Sequence, residues 1–142
     1  MSRNLLFLAL GSVLGVGAAA AAHNHEDGES VKVISARDIQ EKLDGKETKV
    51  TAVEVTLGPG RAGLAHRHPG PALVYVLEGE YELGIDDQPT KVFHAGETFY
   101  EPSGCLHRVS KNPSASGTTR LIAFVLHSRD AKEIAVPEHA AK

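Results

Sequence analysis

The sequence is poor in cysteine and in surplus positive charge, and each shortage excludes a class of protein. It has one cysteine, so no disulfide can form within the chain. Its 15 Lys and Arg are outnumbered by 18 Asp and Glu, whereas non-specific binding to duplex nucleic acid relies on clustered basic side chains. A length of 142 residues suits one domain and excludes an enzyme with a separate cofactor domain. We therefore predict a single-domain protein with no nucleic-acid partner.

Turn-forming residues are abundant, with 14 Gly and 7 Pro. From Val50 onward apolar and polar residues alternate, so that Val53, Val55 and Leu57 share one face of a half-buried strand. Eight or nine short strands follow one another, separated by turns rich in Gly, Pro and Asp. This pattern predicts an all-β fold, an antiparallel double-sheet barrel whose inward side chains line a lumen.

The N-terminus is typical of a secretory signal peptide over residues 1–22. Arg3 supplies the positive charge, and the apolar run from Leu5 ends in five alanines that suit a signal peptidase. An uncleaved membrane anchor is the alternative, but three glycines and the weakly hydrophobic alanine tail favour cleavage. We expect a periplasmic or secreted protein with no stable membrane anchor after cleavage.

The mature chain divides into three parts. Residues 23–30 are polar, residues 31–130 form the barrel domain, and residues 131–142 form a C-terminal tail. Near the start of the domain, Ser35–Leu43 predicts a short helix with its first residue as N-cap, which ends at Asp44-Gly45.

Three of the eight histidines have the spacing of a metal site. His66 and His68 are two residues apart, so both imidazoles lie on one face of a strand, with Cα atoms roughly 6–7 Å apart. His107 lies on another strand, soon after a Pro-x-Gly turn. Neutral imidazoles bind Zn, Cu, Fe and Ni. The alternative is that the three histidines line a pocket for an organic ligand and bind no metal.

Several other residues have weaker claims to a function. Cys105 is either a metal ligand or redox-active thiol, or simply a buried small residue, and the second interpretation is favoured. Cleavage after residue 22 would leave His23-Asn24-His25 as a square-planar site for Cu(II) or Ni(II), although an ordinary polar linker is favoured. Arg61 could meet an anionic substrate at the barrel mouth, or be a solvated surface residue. Alternation points Arg67 and Arg108 away from the metal.

Two stretches resemble the motifs of the cupin family. The first is Gly60-x5-His66-x-His68-x10-Gly79, and the second is Gly96-x5-Pro102-x-Gly104-x2-His107. The resemblance spans residues 50–127 and is to cupins of the small single-barrel type. It implies a jelly-roll barrel in which His66, His68 and His107 are metal ligands.

The chain departs from the cupin pattern in its carboxylate ligand. The family's motif-1 Glu is expected at position 72, which is Ala72, and Glu78 lies six residues, about 20 Å, further along the strand than that position. The closing Asn, expected at Lys111, is displaced to Asn112. A neutral site of three histidines favours one divalent transition metal of the Fe, Cu or Zn type over Mn. Three ligands and an open position are also the format of catalytic zinc, and thiol dioxygenases of cupin type use three histidines with Fe(II).

These observations predict an exported, mononuclear three-histidine metalloenzyme that acts on a small organic molecule, as an oxygenase or as an isomerase or hydrolase. The alternative is a non-catalytic cupin that binds a metal or a small ligand. The sequence identifies no catalytic acid or base. A homodimer through edge strands is a further candidate assembly.

Overall fold

The computed structural model describes residues 22–24 and 28–138. Within these residues the chain forms eleven strands and no helix. The strands are β1 (Ala22–Asn24), β2 (Glu29–Leu43), β3 (Lys46–Leu57), β4 (His66–Arg67), β5 (Ala72–Glu78), β6 (Glu80–Ile85), β7 (Lys91–His94), β8 (Thr98–Glu101), β9 (Leu106–Lys111), β10 (Thr119–Ser128) and β11 (Val136–Pro137).

The strands form two antiparallel sheets. One has the order β1-β2-β3-β10-β5-β8, and the other has the order β11-β4-β9-β6-β7. Their inner faces enclose one apolar core, drawn mainly from β3, β5, β6, β8 and β10. The predicted all-β double-sheet fold is confirmed.

The helix predicted over Ser35–Leu43 is wrong, because these residues form the second half of β2. They pair with β3 as far as Leu43 opposite Lys46. The connecting Asp44-Gly45 has positive φ at both residues, 50° and 74°, which is a two-residue hairpin turn and not the end of a helix. A bulge between Ile39 and Lys42 breaks the two-residue period. In the sequence, half-buried Ile39 and Leu43 are four residues apart, a spacing that also suits one face of a helix.

Glycine is required at Gly79, the last position of the first motif. Its φ is 76°, and a Cβ atom there would lie 2.4 Å from the carbonyl oxygen of Thr118. The turn from β5 to β6 therefore depends on a residue without a side chain.

The outer face of the first sheet is unusually apolar. Leu73 is 52% exposed and Tyr100 is 60% exposed. The two lie opposite each other on β5 and β8, and Phe124 of β10 lies on the other side of Leu73. Tyr75 and Leu77 extend the same face along β5. Exposed apolar patches often mark contacts between proteins. The homodimer predicted through edge strands stays a prediction.

Asn112 fastens the loops beside the barrel mouth. It is fully buried, and its amide group donates to the carbonyls of Leu57, Gly58 and Gly117. Its side-chain oxygen accepts from the backbone N–H of Ser114. The displaced asparagine thus ties three separate chain segments together.

We expect Asn112→Ala to lower the free energy of unfolding by about 2–4 kcal/mol, because it leaves several buried backbone groups without partners. Urea unfolding would measure the change. The matched control is Lys111→Ala at the exposed neighbouring position, which we expect to change stability by less than about 0.5 kcal/mol. Equal effects of the two substitutions would contradict this role.

Candidate metal centre

The pairing of β4 with β9 brings the three predicted histidines together. His66 lies directly opposite His107, and Arg67 lies opposite Leu106. His68 projects to the same side as His66, since the two flank Arg67 on an extended segment. The three imidazole centroids are 4.7, 4.8 and 4.9 Å apart. The structure therefore places all three rings at one point inside the barrel.

The two arginines beside these histidines point the other way, as alternation predicts. Arg67 forms an ion pair with Glu138, at 3.1 Å from Nε to Oε2, and donates to the carbonyl of Gly104. Arg108 donates to the carbonyls of Asp86 and Gln88 in a surface turn. Both guanidinium groups bind loop residues and bring no positive charge to the histidine cluster.

Backbone carbonyls orient two of the rings. Nδ1 of His66 lies 2.8 Å from the carbonyl oxygen of Leu64. Nδ1 of His68 contacts the carbonyl oxygen of Ile134. A carbonyl only accepts, so each Nδ1 carries the proton and each Nε2 is left with a free lone pair. One ligand nitrogen from each histidine lies within 4.8 Å of the other two.

Burial favours the neutral form of two of the rings. It lowers the pKa of His68 to about 4 and that of His107 to about 3, because an imidazolium ion inside the barrel would lose its hydration. The Nε2 atom of His107 is buried without a hydrogen-bond partner among the described residues. Neutral imidazole is the form that binds metals. A divalent metal therefore fits this cluster and would satisfy the buried Nε2 atom of His107.

Glu101 is the residue that sequence reasoning missed. It ends β8, lies opposite Ala72 of β5, and is 3% exposed. Its Oε2 atom is 3.5 Å from Nε2 of His68, and its Oε1 atom is 3.5 Å from Nδ1 of His107. Burial raises the pKa of this carboxyl to about 8. A signal existed: Phe99 and Glu101 are two residues apart, so a buried Phe99 implies an inward carboxyl.

The cluster lies in the wall of an apolar cavity of about 140 Å³. Aliphatic and aromatic side chains form most of the wall, and a hydrogen bond of 2.6 Å joins Tyr81 Oη to Ser110 Oγ within it. The apolar lining residues are Val31, Val53, Val55, Leu64, Val74, Tyr81, Phe99, Leu121, Ala123, Ile134, Ala135 and Pro137. No Lys or Arg belongs to the lining that the structure describes. The cavity is close in size to one of about 150 Å³ that holds benzene.

Other residues do not belong to the metal-ligand cluster. Cys105 is buried, and burial raises the pKa of its thiol, which favours the small-residue interpretation. His127 is a buried structural residue, with Nε2 2.9 Å from Thr51 Oγ1. Arg61 contacts Gly28 and does not line the cavity. The His23-Asn24-His25 side chains lie outside the described residues.

No helix in residues 22–24 and 28–138 is long and apolar enough to cross a membrane. The signal peptide predicted over residues 1–22 lies almost wholly outside this range.

Comparisons with known proteins point to one family. The model of the family described as "Cupin domain" matches residues 53–125. The germin-like protein subfamily 2 member 2 of Arabidopsis thaliana is 37% identical over 90 residues, which cover 59% of this chain and 41% of that protein. The chain thus spans about two fifths of the length of the curated relatives that it matches.

Solved structures agree on the fold. An RmlC-like cupin from Shewanella frigidimarina superposes with a TM-score of 0.55 at 20% identity, over 84% of this chain and 95% of that one. An oxalate oxidase in complex with the substrate analogue glycolate superposes with a TM-score of 0.53 at 25% identity, over 73% of this chain and 55% of that one.

We expect the metal-free protein to lose stability as the pH rises from about 6.5 to 8.5. The folded-state pKa of Glu101 is about 8, above its ordinary value of 4.5, so the folded state keeps a proton that the unfolded chain has released. Raising the pH removes this proton and the stability it contributes. Below about pH 6.5, His68 and His107 have the opposite effect on stability. Their imidazoles bind protons in the unfolded chain but stay neutral in the folded protein, so stability falls as the pH is lowered.

Urea unfolding of the chelator-treated protein across this pH range would test the expectation. In Glu101→Gln, stability should fall less as the pH rises from about 6.5 to 8.5, because the amide does not titrate. A decline of the same size in Glu101→Gln would assign it to another group.

Proposed function

Since the chain belongs to the cupin family, we propose that it is an exported protein that holds one divalent transition metal on His66, His68 and His107. The observation that carries the proposal is the convergence of three imidazoles, two of them buried, with ligand nitrogens within 4.8 Å of one another, on an apolar cavity. Three imidazoles favour Fe, Cu or Zn over Mn. Export to the periplasm or outside the cell rests on the signal-peptide pattern of residues 1–22.

We propose further that the protein is an enzyme acting on a small organic molecule. When bound, the metal would supply Lewis acidity or oxygen activation. The chain's own side chains do the rest: the aliphatic wall excludes water, and the cavity volume of about 140 Å³ limits the substrate to roughly the size of a benzene ring. Tyr81 and Ser110 offer hydroxyl groups that could orient a polar substituent.

The charge of the cavity wall argues against a dicarboxylate substrate. The similar oxalate oxidase binds the analogue glycolate, but the described lining here has two carboxyl groups, Glu29 and Glu101, and no Lys or Arg. A doubly charged anion would therefore have the metal as its sole counter-charge, beside two carboxyl groups and with no basic side chain in the described lining. We propose an uncharged or singly charged substrate, such as a phenol or a diketone.

A non-catalytic cupin that binds a metal or a small ligand is the second candidate function. It is favoured by Ala72, which stands where the family pattern places a carboxylate ligand. Turnover separates the two functions, because a binding module would hold metal and ligand without forming product.

Elemental analysis of protein purified from its native compartment should find about one metal ion per chain. His66→Ala and His107→Ala should each raise the metal Kd by more than about 100-fold, because each removes a ligand outright. His94→Ala is the matched control, since His94 is exposed on β7, away from the cluster. Metal content that stays near zero after reconstitution, or binding that survives both cluster variants, would overturn the proposal.

We expect metal-loaded protein to turn over an uncharged phenol or diketone at least about 10-fold faster than oxalate, because the wall cannot compensate two buried charges. Oxygen consumption and mass spectrometry of products would measure oxidation, isomerisation and hydrolysis in one panel. His107→Ala is the control for activity from free metal. Faster turnover of oxalate would contradict the substrate class, and ligand binding without product would favour the second candidate function.

A further inference from the structure

The expected carboxylate of the first motif is missing from β5, yet a carboxylate still reaches the histidine cluster from the neighbouring strand. Ala72 occupies the position of the family's Glu, and its Cα partner across the ladder is Glu101 of β8. Both residues are buried, at 1% and 3% exposure. Directly opposite residues in an antiparallel pair have Cβ atoms about 4.5–5.5 Å apart. The carboxylate has therefore moved across one strand and still faces the barrel interior.

The geometry points to Glu101 as a fourth metal ligand, bound through Oε2. This inference rests on the proposed function, since it presupposes that the three histidines hold a metal. Oε2 lies 3.5 Å from Nε2 of His68. Two ligand atoms that share one ion at about 2.1 Å, with a tetrahedral angle between them, lie about 3.4 Å apart. The separation of Oε2 from Nε2 of His68 is thus close to that of two ligands of one metal, beside a cluster in which the three histidine nitrogens lie within 4.8 Å of one another.

The hydrogen bonding of the carboxyl supports the same assignment. Oε2 is buried and has no hydrogen-bond partner among the described residues, as is true of Nε2 of His107. Two orphaned polar atoms in one buried cluster are costly unless a further group satisfies both. Oε1 lies 3.5 Å from Nδ1 of His107, so it can accept from that ring N–H while Oε2 binds the metal.

A carboxylate ligand changes the chemistry of the site. It supplies one negative charge against the divalent cation and adds a hard oxygen to three imidazoles. Carboxylate oxygens suit Mn(II), whereas imidazoles suit Zn and Cu. The three-histidine set alone disfavours Mn, and a Glu101 ligand makes the site more favourable to Mn(II) than three imidazoles would be.

Glu101→Gln tests the assignment, because the amide keeps the shape of the side chain and removes its charge. Kd values for Zn(II) and Mn(II) would be measured by chelator competition and by EPR of free Mn(II). We expect the Mn(II) Kd to rise by more than about 100-fold and the Zn(II) Kd by about 10-fold, because Mn(II) depends more on the hard ligand. Glu78→Gln is the matched control: Glu78 is exposed at the end of β5 and should leave both constants unchanged.

The alternative role of Glu101 is to orient His107 through its Nδ1. In that case both metals would lose affinity in parallel, within the range of about 10- to 100-fold typical of residues behind a ligand. A parallel loss, no loss, or a wild-type protein that binds Zn(II) but no Mn(II) would each overturn the inference. These outcomes leave the three-histidine site intact. A wild-type protein that binds neither metal would overturn the proposed function together with the inference.

Discussion

The register of β4 on β9 is the constraint on which the site depends. His66 meets His107 across this short ladder, and His68 follows on the same face. Side chains alternate along an extended segment. A slip of one residue would therefore turn the imidazoles of His66 and His68 outward and bring Arg67 into the barrel. Only two residues of β4 are paired on that side. Its other edge is held by β11, and Glu138 holds Arg67 from outside.

The second constraint is neutrality. Inside an apolar wall, an imidazolium or a lone carboxylate would lose its hydration, and the lowered pKa of His107 and the raised pKa of Glu101 both express that cost. Without a metal, His68, His107 and Glu101 are held in their uncharged forms, with unsatisfied atoms on two of them. A divalent cation would offset this cost, because its positive charge would stabilise the buried Glu101 carboxylate in place of water.

Much of this arrangement could be predicted from the sequence. The period of two in β3 and the spacing of the histidines predicted the sheet faces and the cluster, because both depend on local alternation. The helix over Ser35–Leu43 failed where a bulge interrupts that alternation. Glu101 was missed for a different reason: its place beside Ala72 is set by pairing between strands, and a search along one strand cannot detect a ligand that has moved to the next.

The carbonyl of Ile134 orients His68, although 66 residues separate them in the chain. The orientation of His68 is therefore set by a segment that is synthesised after all the strands that carry the motifs, since synthesis runs from the N-terminus. The histidine cluster reaches its full geometry only when residues beyond β10 have packed against the barrel.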